Sequence, residues 1–197
     1  MKTGLKSSFA TAGVVAVALT VFPGARSVAQ EATPPTREFI QATAEGTSTQ
    51  LGRMISVNII LDEYSTPEDQ KALMEAFEQK GQQGLYHALN KMKAKGRIAI
   101  TGTLGYDVNY IRVFQMPDGS RKIRLVTDRP ITFGEAWSDS RSMEYNLSAI
   151  EIILSPAKGK SSGTLLPACQ FKIDKEKELE IENYQNPWKL ANIMVRK

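Results

Sequence analysis

The sequence predicts a mainly β protein of the β-rich α+β class: about eight antiparallel strands forming a barrel or a strongly curved sheet, with one helical hairpin inserted after the second strand. Three observations predict it. Apolar residues alternate with polar ones over 53–65 and over most of the chain beyond 96, which is the period of strands with one buried face. Short turn-forming clusters separate these runs, and short links imply antiparallel pairing. Only residues 67–94 change to a helical period. Glycines inside the β-like runs favour a barrel or coiled sheet over a flat sandwich. A cystatin-like curved sheet is the competing architecture.

The elements follow in order. Residues 38–48, EFIQATAEGTS, form the first strand candidate. In the second, 53–65, Ile55, Val57, Ile59 and Leu61 point one way and Ser56, Asn58 and Asp62 the other, with Ile60 the exception. Thr66 then reads as an N-cap, Pro67 as the first helical residue, and Glu68 and Asp69 as first-turn acids that suit the helix dipole. Gly81 is a natural stop, and a second helical piece places Leu85, Leu89 and Met92 on one face. These two pieces make the expected hairpin.

Residues 96–116 read as one long bent strand, with Ile98, Ile100, Leu104, Tyr106, Val108 and Tyr110 on one side. Gly102 and Gly105 mark bends, and a second bulge near Tyr110 and Ile111 flips the apolar set to Ile111 and Val113. MPDGS at 116–120 is a tight turn. Residues 142–155 form another strand, PAKGKSSG at 156–163 a hairpin loop, and DKEK at 174–177 the centre of a further hairpin. WKLANIMVRK closes the chain.

The amino terminus is read as an address. Lys2 and Lys6 precede the uncharged run Phe9 to Val21, and Ser27 and Ala29 stand at the small positions before a cleavage point after Ala29. Residues 1–29 are thus expected to be a Sec-type signal peptide, 30–37 a disordered mature terminus, and 38–197 a single domain. The apolar run is too short to span a bilayer, which takes roughly 20 residues. The implied location is periplasmic or secreted, with no transmembrane segment once the leader is removed.

Charge then says little about partners. The chain holds 25 Lys+Arg and 21 Asp+Glu; removing Lys2, Lys6 and Arg26 leaves 22 against 21. A near-neutral chain gives no reason to expect nucleic acid. Cys169 is the one cysteine, so no intrachain disulfide can form, and its strand-like surroundings predict a buried thiol. One Cys and the single His87 offer little to zinc, and no Walker loop or calcium loop occurs, so no metal and no cofactor are expected.

Candidate binding residues come from two places. Tyr106 and Tyr110, with Phe114 at even offsets, could line a barrel interior with hydroxyls suited to a small amphipathic ligand, or simply form core; Asp107, on the other face of the same strand, is the third candidate. Asp128, Arg129, Glu135 and Trp137, in LVTDRPITFGEAW, are either a polar rim around an aromatic or a strand corner set by Pro130. The corner is the preferred reading. No catalytic residue is assigned. GYDVNY at 105–110, TDRPITF at 127–133 and ENYQNPWKL at 182–190 resemble segments of uncharacterised exported bacterial proteins, and the resemblance implies a Gram-negative envelope setting without a known activity.

The expected function is that of an exported, non-enzymatic β-rich binding module, taking a small apolar or amphipathic ligand. One alternative is an envelope protein–protein interaction module. The other is a small periplasmic hydrolase or isomerase using Asp107, Asp128 or His87 as acid–base groups. A barrel with a helical lid would favour the ligand, and a filled core with an exposed apolar patch would favour a protein partner.

Overall fold

The computed structural model describes residues 37–47, 50–132 and 145–196. Nine strands and one helix follow in order: β1 Glu38–Gly46, β2 Met54–Leu61, α1 Pro67–Lys91, β3 Gly96–Ile100, β4 Tyr106–Gln115, β5 Arg121–Thr127, β6 Leu147–Leu154, β7 Ser162–Ile173, β8 Leu179–Gln185 and β9 Trp188–Arg196. All pairings among them are antiparallel. The sheet runs β1-β2-β3-β4-β5-β6-β7-β9 and returns to β1, so eight strands close a barrel. β8 is extra and pairs only with β7.

Closure follows from the alternation. Ile40, Ala42 and Ala44 of β1 and Val57, Ile59 and Leu61 of β2 turn inward, as do Ile98 and Ile100 of β3. Ile123, Leu125, Ile150, Ile152, Leu165, Trp188 and Leu190 complete the interior. Eight strands enclose a space just wide enough for side chains, and these aliphatics and the indole occupy it. Each large side chain so buried contributes about 1.5–3 kcal/mol. The interior is a core.

A second apolar layer lies outside the barrel. Leu73, Met74, Leu85 and Leu89 of α1 pack with Tyr110, Val126, Leu147, Ala149 and Leu166 on the outer face of β4–β7. Phe171 and Leu179 of the β7–β8 hairpin extend this layer. The helix therefore covers one wall of the barrel.

The start of α1 is built as its sequence suggests. The Thr66 hydroxyl accepts from the Asp69 N–H at 3.2 Å, and the Asp69 carboxylate accepts from the Thr66 N–H at 2.8 Å, a reciprocal cap. Asp69 also pairs with Lys95 at 2.9 Å, which ties the helix start to the entrance of β3. Burial alone would raise the Asp69 carboxyl, but the Thr66 N–H and Lys95 outweigh it and hold the group below its ordinary value.

The expected hairpin is not shown. α1 consists of two helical segments joined across a kink at Lys80 and Gly81, where Gly81 has a φ of 55° that favours glycine. The kink is sharp: a Cβ on Gly84 would lie 1.9 Å from the Ala76 carbonyl oxygen, although eight residues of straight helix span about 12 Å.

Residues 96–116 also differ from the single bent strand expected. They form the β3–β4 hairpin, with Leu104 almost fully exposed at its turn. The β4–β5 register shifts between Val108 and Tyr110, a bulge centred on Asn109. Tyr106 and Val108 consequently face the barrel interior, whereas Tyr110 faces out under α1 and Ile111 resumes the inward set. The flip predicted near Tyr110 is real and falls one residue earlier.

Candidate binding surface

The corner that follows β5 secures one end of the barrel. Ile131 is 1% exposed and belongs to the interior core. Pro130 has no N–H to satisfy, and the Ile131 N–H is met by the Ser148 hydroxyl at 2.6 Å and the Pro167 carbonyl at 3.0 Å. The Thr127 hydroxyl donates to the Arg129 carbonyl at 2.6 Å. Tyr106 closes the arrangement: its hydroxyl donates to the Thr132 carbonyl at 2.6 Å and accepts from the Thr132 N–H at 3.0 Å. These bonds form a fixed corner that inserts an isoleucine between strands.

The other candidate residues are held separately. Asp107 is half-exposed and pairs with Arg97 at 2.8 Å. Asp128 pairs with its neighbour Arg129 at 3.2 Å. Tyr110 is fully buried beside α1, its hydroxyl has no hydrogen-bond partner among the described residues, and burial pushes its phenol well above the ordinary value. The bulge thus puts Tyr106 and Tyr110 in different apolar layers, and they do not line one cavity. Glu135 and Trp137 lie outside the described residues.

The remaining acid–base candidate and the single thiol also lie in different environments. His87 is exposed on α1 with its ring edge-on to Tyr86 at 5.2 Å. Cys169 is buried completely in the layer beneath α1, and burial pushes its thiol far up, away from a reactive thiolate. Among the described residues, no group of three His, Cys, Asp or Glu side chains is placed to hold a metal ion.

At the edge of the covered wall the layers are held by charge. Arg124, 6% exposed, donates to Glu151 at 2.7 and 2.6 Å and to the Leu179 carbonyl, and its guanidinium lies 5.6 Å from the Phe114 ring centre. Lys122 reaches the same carboxylate at 3.0 Å. Arg112 pairs with Glu178 at 2.5 Å. Burial would raise the Glu151 carboxyl, but Arg124 and Lys122 outweigh it and hold it below its usual range. These residues join the β7–β8 hairpin to the barrel.

The wall of β9, β1 and β2 is bare by comparison. Outward positions come into register as Arg196–Phe39–Ile60, then Met194–Gln41–Asn58, then Ala191–Thr43–Ser56, then Lys189–Glu45–Met54. A bulge at Asn192, whose φ is 52°, sets the β9 half of this grid. Phe39, Met54 and Met194 on these rows are all more than 40% exposed. Arg37 lies over Phe39, 5.4 Å from the ring centre, and pairs with Asp62 at 3.1 Å.

An open cleft of about 540 Å³ runs over this wall, lined by Phe39, Gln41, Asn58, Ile60 and Arg196 and by the strand backbone at Ile40 and Ile59. Two smaller clefts, of about 300 Å³ beside α1 and about 200 Å³ at the charged edge, also open outward. The volume of the first falls in the range typical of small-molecule sites, roughly 300–1,000 Å³. Its residues went unassigned in the sequence, yet one trace was present: Ile60 is the residue that breaks the alternation of β2, and it faces outward into this cleft.

Comparison with known proteins adds no relative: no family matches the chain, and no curated protein or solved structure shows significant similarity to it. Among the described residues no helix is long and apolar enough to cross a membrane. The outward rows of the bare wall mix amides, hydroxyls and charges with apolar side chains, while the lumen is apolar. A membrane-spanning barrel has the reverse pattern, with an apolar outer band around a polar interior.

Proposed function

We propose that this protein is an exported, non-enzymatic binding module whose working surface is the outer wall of β9, β1 and β2. The observation that carries the reading is the placement of the 540 Å³ cleft. It lies on that wall, is mostly apolar, and stands apart from a lumen already occupied by side chains. Export rests on the leader-like residues 1–29. The helix covers a different outer wall and leaves the cleft open.

A photo-crosslinking amino acid tests this in cells. One variant carries it at Gln41, inside the cleft, and a control carries it at the half-exposed Lys172 of β7. Irradiation followed by intact-mass analysis should give adducts from position 41 and few from 172. No adduct at 41, or equal adducts at both, would sink the reading.

A further inference from the structure

The chemistry of the cleft specifies an occupant more closely, on the premise that the wall is the binding surface. Its apolar part is Phe39 beside Ile60, paired across β1 and β2. Its charged part is cationic: Arg196 is opposite Phe39 on β9, and the Arg37 guanidinium lies over the same ring. Among the described residues no aspartate or glutamate lines the cleft, and the nearby Asp62 is held by Arg37. Gln41 and Asn58 supply amides along one side.

A filled lumen beside an exposed patch is the pattern tied above to a protein partner, but the cleft's size and its arginine point to a smaller occupant; we infer that it takes a single-chain amphipathic anion, a carboxylate with an alkyl tail. Arg196 offers a planar fork that can donate two parallel hydrogen bonds to a carboxylate, which a neutral head group cannot match in charge. The tail lies over Phe39 and Ile60, which are otherwise in contact with water. From β9 to β2 the cleft spans two strand spacings, about 10 Å, enough for the width of one alkyl chain and its head. A cationic amphiphile would meet Arg196 with like charge, the charge of Arg37 being balanced by Asp62.

The test is calorimetric titration of the full chain with decanoate, decan-1-ol and decyltrimethylammonium, each below its micellar concentration. Decanoate should bind saturably and about tenfold or more tighter than the alcohol, with no binding of the cation. Phe39→Ser should weaken decanoate about tenfold or more, and Arg196→Gln should bring decanoate and the alcohol to nearly equal affinity. Lys172→Gln should change nothing, and thermal melts establish that all variants are folded.

Failure of decanoate to bind overturns the inference, as does binding unchanged by Phe39→Ser. Equal affinity for decanoate and decan-1-ol in the unmodified chain overturns the anionic head. The two proposals fail separately: crosslinking at position 41 to a protein, with no decanoate binding, would retain the wall as a binding surface and exclude this ligand.

Discussion

Two outer walls of one barrel differ sharply. The wall of β4–β6 carries Tyr110, Val126, Leu147 and Ala149 outward and is covered by α1 and the β7–β8 hairpin. The wall of β9, β1 and β2 carries Phe39, Met194 and Ile60 outward, and no described helix or strand lies over it. Both are β surfaces with apolar content, so the difference lies in what the chain provides as cover. On the first wall apolar side chains make a second core, edged by Arg112–Glu178 and Arg124–Glu151. On the second they remain beside unburied arginines. Exposed apolar groups of this kind mark interaction surfaces more often than stability devices. The comparison predicts that substitutions on the covered wall act on folding and substitutions on the bare wall act on binding.

The largest expected effect is on the covered wall. Leu85→Ala removes a fully buried side chain from beneath the kinked helix and should cost about 2–5 kcal/mol. Urea denaturation followed by circular dichroism reads it as a lowered midpoint. A cost near zero would mean that α1 is a loose appendage, and the contrast between the walls would collapse. Cys169, in the same layer, should stay unmodified by a thiol reagent in the native chain and react in the Leu85→Ala variant as local opening becomes more frequent.

Next comes the charged edge. Arg124→Ala leaves the Glu151 carboxylate with Lys122 alone and frees the Leu179 carbonyl of its donor. The cost should be about 2–3 kcal/mol, below that of a fully enclosed pair because Glu151 keeps some contact with water. Equal midpoints for variant and wild type would show that the β7–β8 hairpin is held by Phe171 and Leu179 without help from charge.

The same network gives a pH dependence with a definite sign. Glu151 and Asp69 both have carboxyls held below their unfolded values. Their contribution is therefore fully present above the unfolded carboxylate range, near pH 4, and is lost as pH falls through the lower folded values. Urea midpoints should drop between pH 5 and pH 3, on the order of the ordinary acid range. The Glu151→Gln variant should start lower at neutral pH and lose less on acidification. Parallel profiles would remove Glu151 from the acid response.

Much of this architecture is legible in the sequence. The alternation of Val57, Ile59 and Leu61, the MPDGS turn and the DKEK hairpin reflect local rules of period and turn chemistry, and all three hold. The TDRP corner was readable for the same reason, because Pro130 constrains its neighbour whatever lies around it. The Asn109 bulge was harder to place. One residue of slip moves Tyr110 to the opposite face, and nothing in the local pattern separates a shift at 109 from one at 110. The bare wall was hardest, since Phe39 and Arg196 are more than 150 positions apart and meet only when β9 closes on β1.

The smallest stability effect belongs to that wall, and it is the most informative. Phe39 is 42% exposed, so Phe39→Ser removes surface already partly in water and should move the urea midpoint by only about 0.5 kcal/mol or less in stability. The same substitution is expected to abolish most crosslinking from position 41. A large loss of stability would mean that the ring supports the barrel, with Arg37 braced against it between Phe39 and Asp62, and that the wall is structural. A silent stability profile with lost crosslinking would separate the two roles in a single side chain. Phe39 would then face outward because binding requires it, since an inward position on β1 is available to Ile40 one residue away.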